Sequence, residues 1–340
     1  MHVTNKRIMV VKSEAIPGTA VSLASADFDV RLRATEVQTQ AEADDENSKF
    51  ANGGHGEDLA IVGIRSGTLK ASCKITGVSA IATDTPKWFK VLKGCGLVEK
   101  NYGTAPIIGR ALQPLAVGDC QTLTGRIFDI ECGASPVAIA EELSGMMGTL
   151  VIGAESPGKP VLAEIEFSGK HTAQVDVANT SIPVLTAPST VEALPFLSVA
   201  VTITPRGGPA YTAKGQMFSL DTGNTIAAIK DSAQATGIIY NSVRSRAPRL
   251  SLQFLREAAA LFAAKSIRDN GTLCAITIAF GSGGKKFELN IPSAQVTSYS
   301  IDDVDGTDAY TISARCLPNN GTVAAIIDEA CWELLIGARA

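Results

Sequence analysis

GTLKASCKIT, residues 67–76, alternates without a break. Leu69, Ala71, Cys73 and Ile75 fall on one side of an extended chain, and Lys70, Ser72, Lys74 and Thr76 on the other. A period of two marks a strand with one face buried, so this stretch sets the class as β. The pattern returns in RLSLQF (249–254), where Leu250, Leu252 and Phe254 face inward. In PVLAEIEFSG (160–169), Leu162, Glu164, Glu166 and Ser168 share a face opposite Ala163, Ile165 and Phe167. The composition agrees: 45% hydrophobic, 19% charged and only 5% aromatic residues suit a large β core of small side chains better than a helical bundle or a disordered chain.

Helical segments are few. TPKWFKVLKGCG (85–96) reads as a short helix, with Pro86 near its start, Gly94 and Gly96 at its end, and Trp88, Val91 and Leu92 on its apolar side. SPVAIAEELSGMMG (135–148), after the strand TGRIFDIEC (124–132), also reads as a helix, with Ser135 as N-cap, Pro136 in the first position, and Glu141 and Glu142 exposed. LREAAALFAAKSIRDNG (255–271) reads as a third, stopped by Gly271. The C-terminal TVAAIIDEACWELLIGARA (322–340) is open to a helix or a last strand; a shared side for Ile327, Cys331, Leu334 and Leu335 favours the helix.

The two halves follow one plot. FDVRLRATEV, an acidic loop and RSGTLKASCKI in the first half match FSLD, a polar loop and RAPRLSLQF in the second, each followed by a helix. Hairpins come next: LCAITIAF, the turn GSGG and KKFELNI, then AQVTSYSI, the turn DDVDG and AYTISARC. Between about 176 and 196 the chain becomes rich in Ala, Thr, Ser and Pro, a linker composition. The expected organisation is a duplicated β unit: residues 1–180, with a long loop over 38–60; a linker over 181–196; and residues 197–340.

That long loop centres on AEADDENSKFANGGHGED (41–58), with acids at Glu42, Asp44, Asp45, Glu46, Glu57 and Asp58, one Lys49, and His55 between glycines. Its acids are adjacent rather than alternating, so it lacks the layout of a calcium loop. DDVDGTD (302–308) has Ile301 and Ile312 where a calcium loop needs its first and last ligands, and reads as a tight acidic turn. FGSGGKKF (280–287) has neither the spacing nor the following helix of a phosphate loop, and reads as a hairpin turn. The three histidines, His2, His55 and His171, form no ligand pair and flank no nucleophile motif. No cofactor, metal or catalytic set is expected. Arg244, Arg246 and Arg249 are open to phosphate contact or to salt bridging at a subunit interface.

A net charge of −4 and a pI near 5.5 oppose a tight nucleic-acid binder. The seven scattered cysteines contain no CxxC and read as reduced structural thiols. MHVTNKRIMVVKSEAIPG has no signal-peptide layout and no apolar run approaches a membrane span, so the expectation is a soluble product that is not Sec-exported.

Four stretches carry a resemblance: KSEAIPGTAVSLASADFDVRLRATEV (12–37), the polar loop returning to RSGTLKASCKITG, PKWFKVLKGCGLVEKN (86–101), and MMGTLVIGAESPGKPVLAEIEFSGKH (146–171). With RAPRLSLQF and NIPSAQVTSYSIDDVDG in the second half, their order resembles the tail tube (major tail) proteins of long-tailed bacteriophages. The resemblance implies a mainly β fold with short helices, as two tandem β-sandwich or half-barrel lobes that close a ring barrel with neighbouring subunits. Closure would remove exposed strand edges. It implies stacked rings, trimeric and pseudo-sixfold if the duplication holds and hexameric otherwise, forming a conduit for DNA ejection in the virion.

The implied partners are the chain itself, tail tip or initiator and terminator proteins, and tape measure protein and DNA passing through the lumen. Assembly would take place in the host cytoplasm, away from any membrane. The loop residues Glu42 to Asp58 become an inter-ring assembly arm. Glu164, Glu166 and Ser168 are candidates for the lumen lining or, equally, an ordinary solvated face. Two other readings of the sequence are a β-sandwich binding module, such as an adhesin or carbohydrate binder, and the tube of a gene-transfer or injection machine.

Overall fold

The computed structural model describes residues 2–24, 27, 30, 32–44, 61–80, 83–104, 107–114, 121–131, 137–178, 193–258, 262–281, 286–320, 326 and 330–339. The first half holds β1 (His2–Ser13), β2 (Arg33–Asp44), β3 (Ile61–Lys74), helix α1 (Phe89–Lys93), β4 (Leu97–Thr104), β5 (Ile107–Pro114), β6 (Leu123–Glu131), β7 (Val137–Ala154) and β8 (Leu162–Ala178). After it come β9 (Ala200–Pro205), β10 (Tyr211–Ala213), β11 (Gly215–Asp221), β12 (Asn224–Lys230), β13 (Ile238–Arg246) and β14 (Arg249–Leu255). Helix α2 (Ala264–Asp269), β15 (Leu273–Phe280), β16 (Phe287–Val304), β17 (Thr307–Leu317) and β18 (Glu333–Arg339) complete the chain. The fold is mainly β, with two short helices among the described residues.

One 16-stranded sheet takes every strand except β12 and β13, which form a hairpin of their own. In the first half the pairing order is β2-β3-β8-β7-β6-β1; further on it is β11-β14-β17-β16-β15-β9. The two runs meet where β11 pairs with the end of β7, Leu220 opposite Ile152. They meet again where β18 pairs with both β16 and β5. The sheet is not closed into a barrel within the chain; a single bridge, Met9 to Leu32, links β1 to the residue before β2.

The alternation of 67–76 holds: Leu69, Ala71, Cys73 and Ile75 are buried and Lys70 and Lys74 exposed. Leu250, Leu252 and Phe254 are buried likewise. Trp88, Val91 and Leu92 of the first helical segment lie in the core. Part of the expected linker is structural, because Leu194 and Phe196 are buried and Phe196 packs on Phe218 and Phe280. Strand β2 continues through Asp44, seven residues into the expected loop 38–60.

Three expectations are corrected. Residues 137–148 are strand, not helix: β7 is hydrogen-bonded to β6 on one side and β8 on the other, and that pairing overrides the helical propensity of its Ala, Glu, Leu and Met residues. Among the described residues of 255–271 the helix is confined to Ala264–Asp269, and Leu255 ends β14 instead. Towards the C-terminus Glu333–Arg339 is a strand rather than a helix, with Leu334, Leu335 and Ile336 all buried because both faces are covered there; Ile327 lies outside the described residues. KKFELNI and AQVTSYSI also fuse into one strand, β16, with Pro292 at a register shift against β15, where a residue lacking an N–H is tolerated.

Leu220 is fully buried between Leu250 and Ile152 at the seam of the two runs. Leu220→Ala is expected to cost roughly 2–5 kcal/mol, read from the urea midpoint.

Candidate assembly site

The β12–β13 hairpin projects from the main sheet between β11 and β14 and lies back across β7, β8 and β3. At its base, the Asn224 side-chain amide donates to the carbonyls of Cys95 (2.9 Å) and Gly148 (3.0 Å). The Arg246 guanidinium donates to the Gly96 carbonyl at 2.7 Å. At its tip, the Arg65 backbone N–H of β3 donates to the Thr236 carbonyl at 3.1 Å. The hairpin is therefore an arm pinned at both ends onto the first-half sheet.

The middle of the arm rests on two glycines in left-handed conformations, Gly18 (φ 80°) and Gly145 (φ 59°). A Cβ on Gly18 would collide with the Ile239 carbonyl, and one on Gly145 would stand 2.9 Å from the Tyr240 Cα. Glycine is needed here both for the turn and for the close approach of β13.

Both glycines hang from one buried carboxylate. Glu14 accepts from the Gly18 N–H (2.7 Å) and Thr122 hydroxyl (2.6 Å) at Oε2, and from the Thr124 hydroxyl (2.7 Å) and Gly145 N–H (2.8 Å) at Oε1. It thus joins the end of β1, the start of β6 and the bulge of β7 beneath the arm. In the sequence the one local sign of this role is a lone acid, Glu14, just ahead of the Ile16-Pro17-Gly18 turn.

A second carboxylate braces the helix beside the arm's base. Glu99 contacts Lys93 of α1 at 2.7 Å, the Thr85 hydroxyl at 3.0 Å and Arg110 of β5 at 3.7 Å. Burial pushes its carboxyl upward, but the hydrogen bonds and positive charges of these partners prevail and hold it below the usual carboxylate range.

The structure distributes the sequence candidates unevenly. Glu42 and Asp44 sit on β2, while Asp45, Glu46, Lys49, His55, Glu57 and Asp58 lie outside the described residues. The arginine cluster does not act as one group: Arg246 is spent on the Gly96 carbonyl, whereas Arg244 and Arg249 are exposed. Glu164 and Glu166 are exposed on β8, but Lys70 and Ser72 of β3 stand opposite them in register, so that face is mixed in charge. His171 meets Glu141 across β7 and β8 at 2.8 Å.

Among the described residues no three His, Cys, Asp or Glu gather as metal ligands. No helix among them is long and apolar enough to cross a membrane. Cys73, Cys95, Cys274 and Cys316 are free thiols, while Cys120 and Cys132 lie outside the described residues. Burial pushes Cys73 and Cys316 up to about 12 and raises Cys95 as well. No protein-family model matches the chain, and no curated protein matches it.

Glu14→Ala leaves four buried donors without their acceptor and is expected to cost more than about 3 kcal/mol. Gly18→Ala is expected to lift the arm, seen as faster proteolytic nicking within 231–237 at temperatures where the core stays folded. Raised thiol values imply stability that is complete below the ordinary thiol range and lost as pH rises through it, because only the unfolded chain then sheds those protons. The urea midpoint should therefore fall above about pH 9, and less steeply in Cys73→Ala.

Proposed function

We propose that the chain is the repeating subunit of a tail tube like that of long-tailed bacteriophages, a structural conduit for DNA rather than a catalyst. The observation that carries this reading is the strand order. β2-β3-β8-β7-β6-β1 and β11-β14-β17-β16-β15-β9 are one permutation written twice, each in step with chain order. α1 follows β3 as α2 follows β14, and β4, β5, β10, β12, β13 and β18 are additions. We read this as one unit used twice, as the resemblance in sequence suggests, with tandem lobes at 1–180 and 197–340 on either side of the linker 181–196.

Three such chains supply six lobes, which favours trimeric, pseudo-sixfold rings over hexamers. Stacked in the virion, these rings would admit tape measure protein and DNA without binding them specifically. Tip and terminator proteins would cap the ends. Glu164, Glu166 and Ser168 remain the candidate lumen face; the second lobe places Thr311, Ser313 and Arg315 at the matching positions, so the lining would be polar and mixed in charge, with Lys70 and Arg249 on the neighbouring strands. The carbohydrate-binder alternative is weakened, because Trp88 and Trp332 are both buried and neither can offer a stacking surface. A related gene-transfer or injection machine would use the same subunit logic.

Negative-stain electron microscopy of concentrated protein, alone and with a tail-tip complex, is expected to show hollow stacked rings whose averages contain three chains. Persistent single particles under both conditions would overturn the proposal.

A further inference from the structure

The seam inside the chain has an unfilled counterpart at its two ends. On β7, β6 pairs as far as Met146, and β11 then takes the vacated edge at Val151–Ala154. On β16, β15 pairs as far as Gln295, and no described strand takes the same edge at residues 297–304. Setting Leu69 of the alternating stretch 67–76 against Leu250 of 249–254 matches the cross-strand rows of the two runs. Cys73, Ala163, Ile152 and Leu220 run side by side across β3, β8, β7 and β11. Phe254, Tyr310 and Ile301 run across β14, β17 and β16, and the row stops there. Ile152 is 0% exposed; Ile301, in its place, is 47% exposed and one of only three large apolar side chains left that open among the described residues.

The missing partner exists elsewhere on the same chain. Leu220 stands opposite Leu250 of β14, and Val37 of β2 stands opposite Leu69 of β3, the residue that matches Leu250. β2 ends the path of the sheet, and no described strand pairs with its other edge.

We propose that residues 297–304 of one copy add antiparallel to β2 of a second copy, with Ile301 opposite Val37, repeating between chains the joint that Ile152 and Leu220 make within one. The contact is head-to-tail, so it propagates and can close into a ring. It deepens the tube reading by naming its joint, but rests on the strand rows alone. The same register sets Asp302 opposite position 36, a glutamate, and like charges directly opposite weaken a strand pair. The free subunit is thereby restrained from joining too readily, as charged edge strands commonly are.

The test is cross-linking with a mild thiol oxidant. The double variant Val37→Cys/Ile301→Cys is expected to give disulfide-linked dimers and higher species, and either single variant none of them. Ile301→Lys should lower association at least tenfold with an unchanged melting temperature, since the side chain is already in solvent. Asp302→Lys should raise association and lose its gain when combined with Glu36→Lys. Cross-linked species that close as something other than stacked rings would support the joint and sink the tube. Rings by microscopy without cross-linking in the double variant would keep the tube and overturn this joint. Failure to associate or cross-link at any concentration, with or without the tail-tip complex, would overturn both.

Discussion

Every strand has two edges, and each edge carries N–H and C=O groups that need partners. β7 shows how far this constraint reaches. Over its length one edge is taken by β8 and the other first by β6 and then by β11. That handover stitches two halves of the chain into one sheet. It also fixes the level of β11, hence where β14 begins and where the hairpin between them must fall. Shorten β7 by a few residues and the second half loses its attachment at this seam.

The seat of the arm follows from the same handover. With β11 held against β7, the hairpin that leaves it has only the first-half sheet to fold onto. Backbone lies on backbone at Gly18 and Gly145, so the approach excludes side chains, and the turn that presents Gly18 must be held without slack. Glu14 supplies that rigidity from below. A neutral side chain offers fewer acceptor sites than a carboxylate, which can receive all four donors at once.

What was legible in the sequence was local and periodic. The alternation at 67–76 and 249–254 gave the correct buried faces, and Pro86 and Gly94 bounded the first helix because their constraints act within a few residues. The acidic turn at 302–308 was read from the same kind of signal: Asp305 and Gly306 both take positive φ, as a two-residue hairpin turn requires. What failed was strand buried on both faces. Leu143, Met146 and Met147 of β7 and Leu334, Leu335 and Ile336 of β18 are buried on either face of their strands, and such a run has no period of two to betray it. Arg246 misled for a related reason: charge suggested a surface role, whereas its guanidinium caps a carbonyl 150 positions away in sequence. Of the role of Glu14 only the contact to Gly18 is local, since the other three of its four donors lie more than a hundred positions away.

The pairing of β5 with β18 has a bearing on how the chain is made. Gln113 and Glu333, joined at 2.6 Å beside this pairing, are 220 positions apart. At ordinary synthesis rates the ribosome takes roughly 11 to 44 s to cover that distance. Throughout that interval β5 has β4 on one side and nothing on the other, an apolar edge waiting in a crowded compartment. β18, made that much later, is the strand that covers it. The chain therefore cannot finish its sheet in passing; it must protect an unfinished one until β18 has been made.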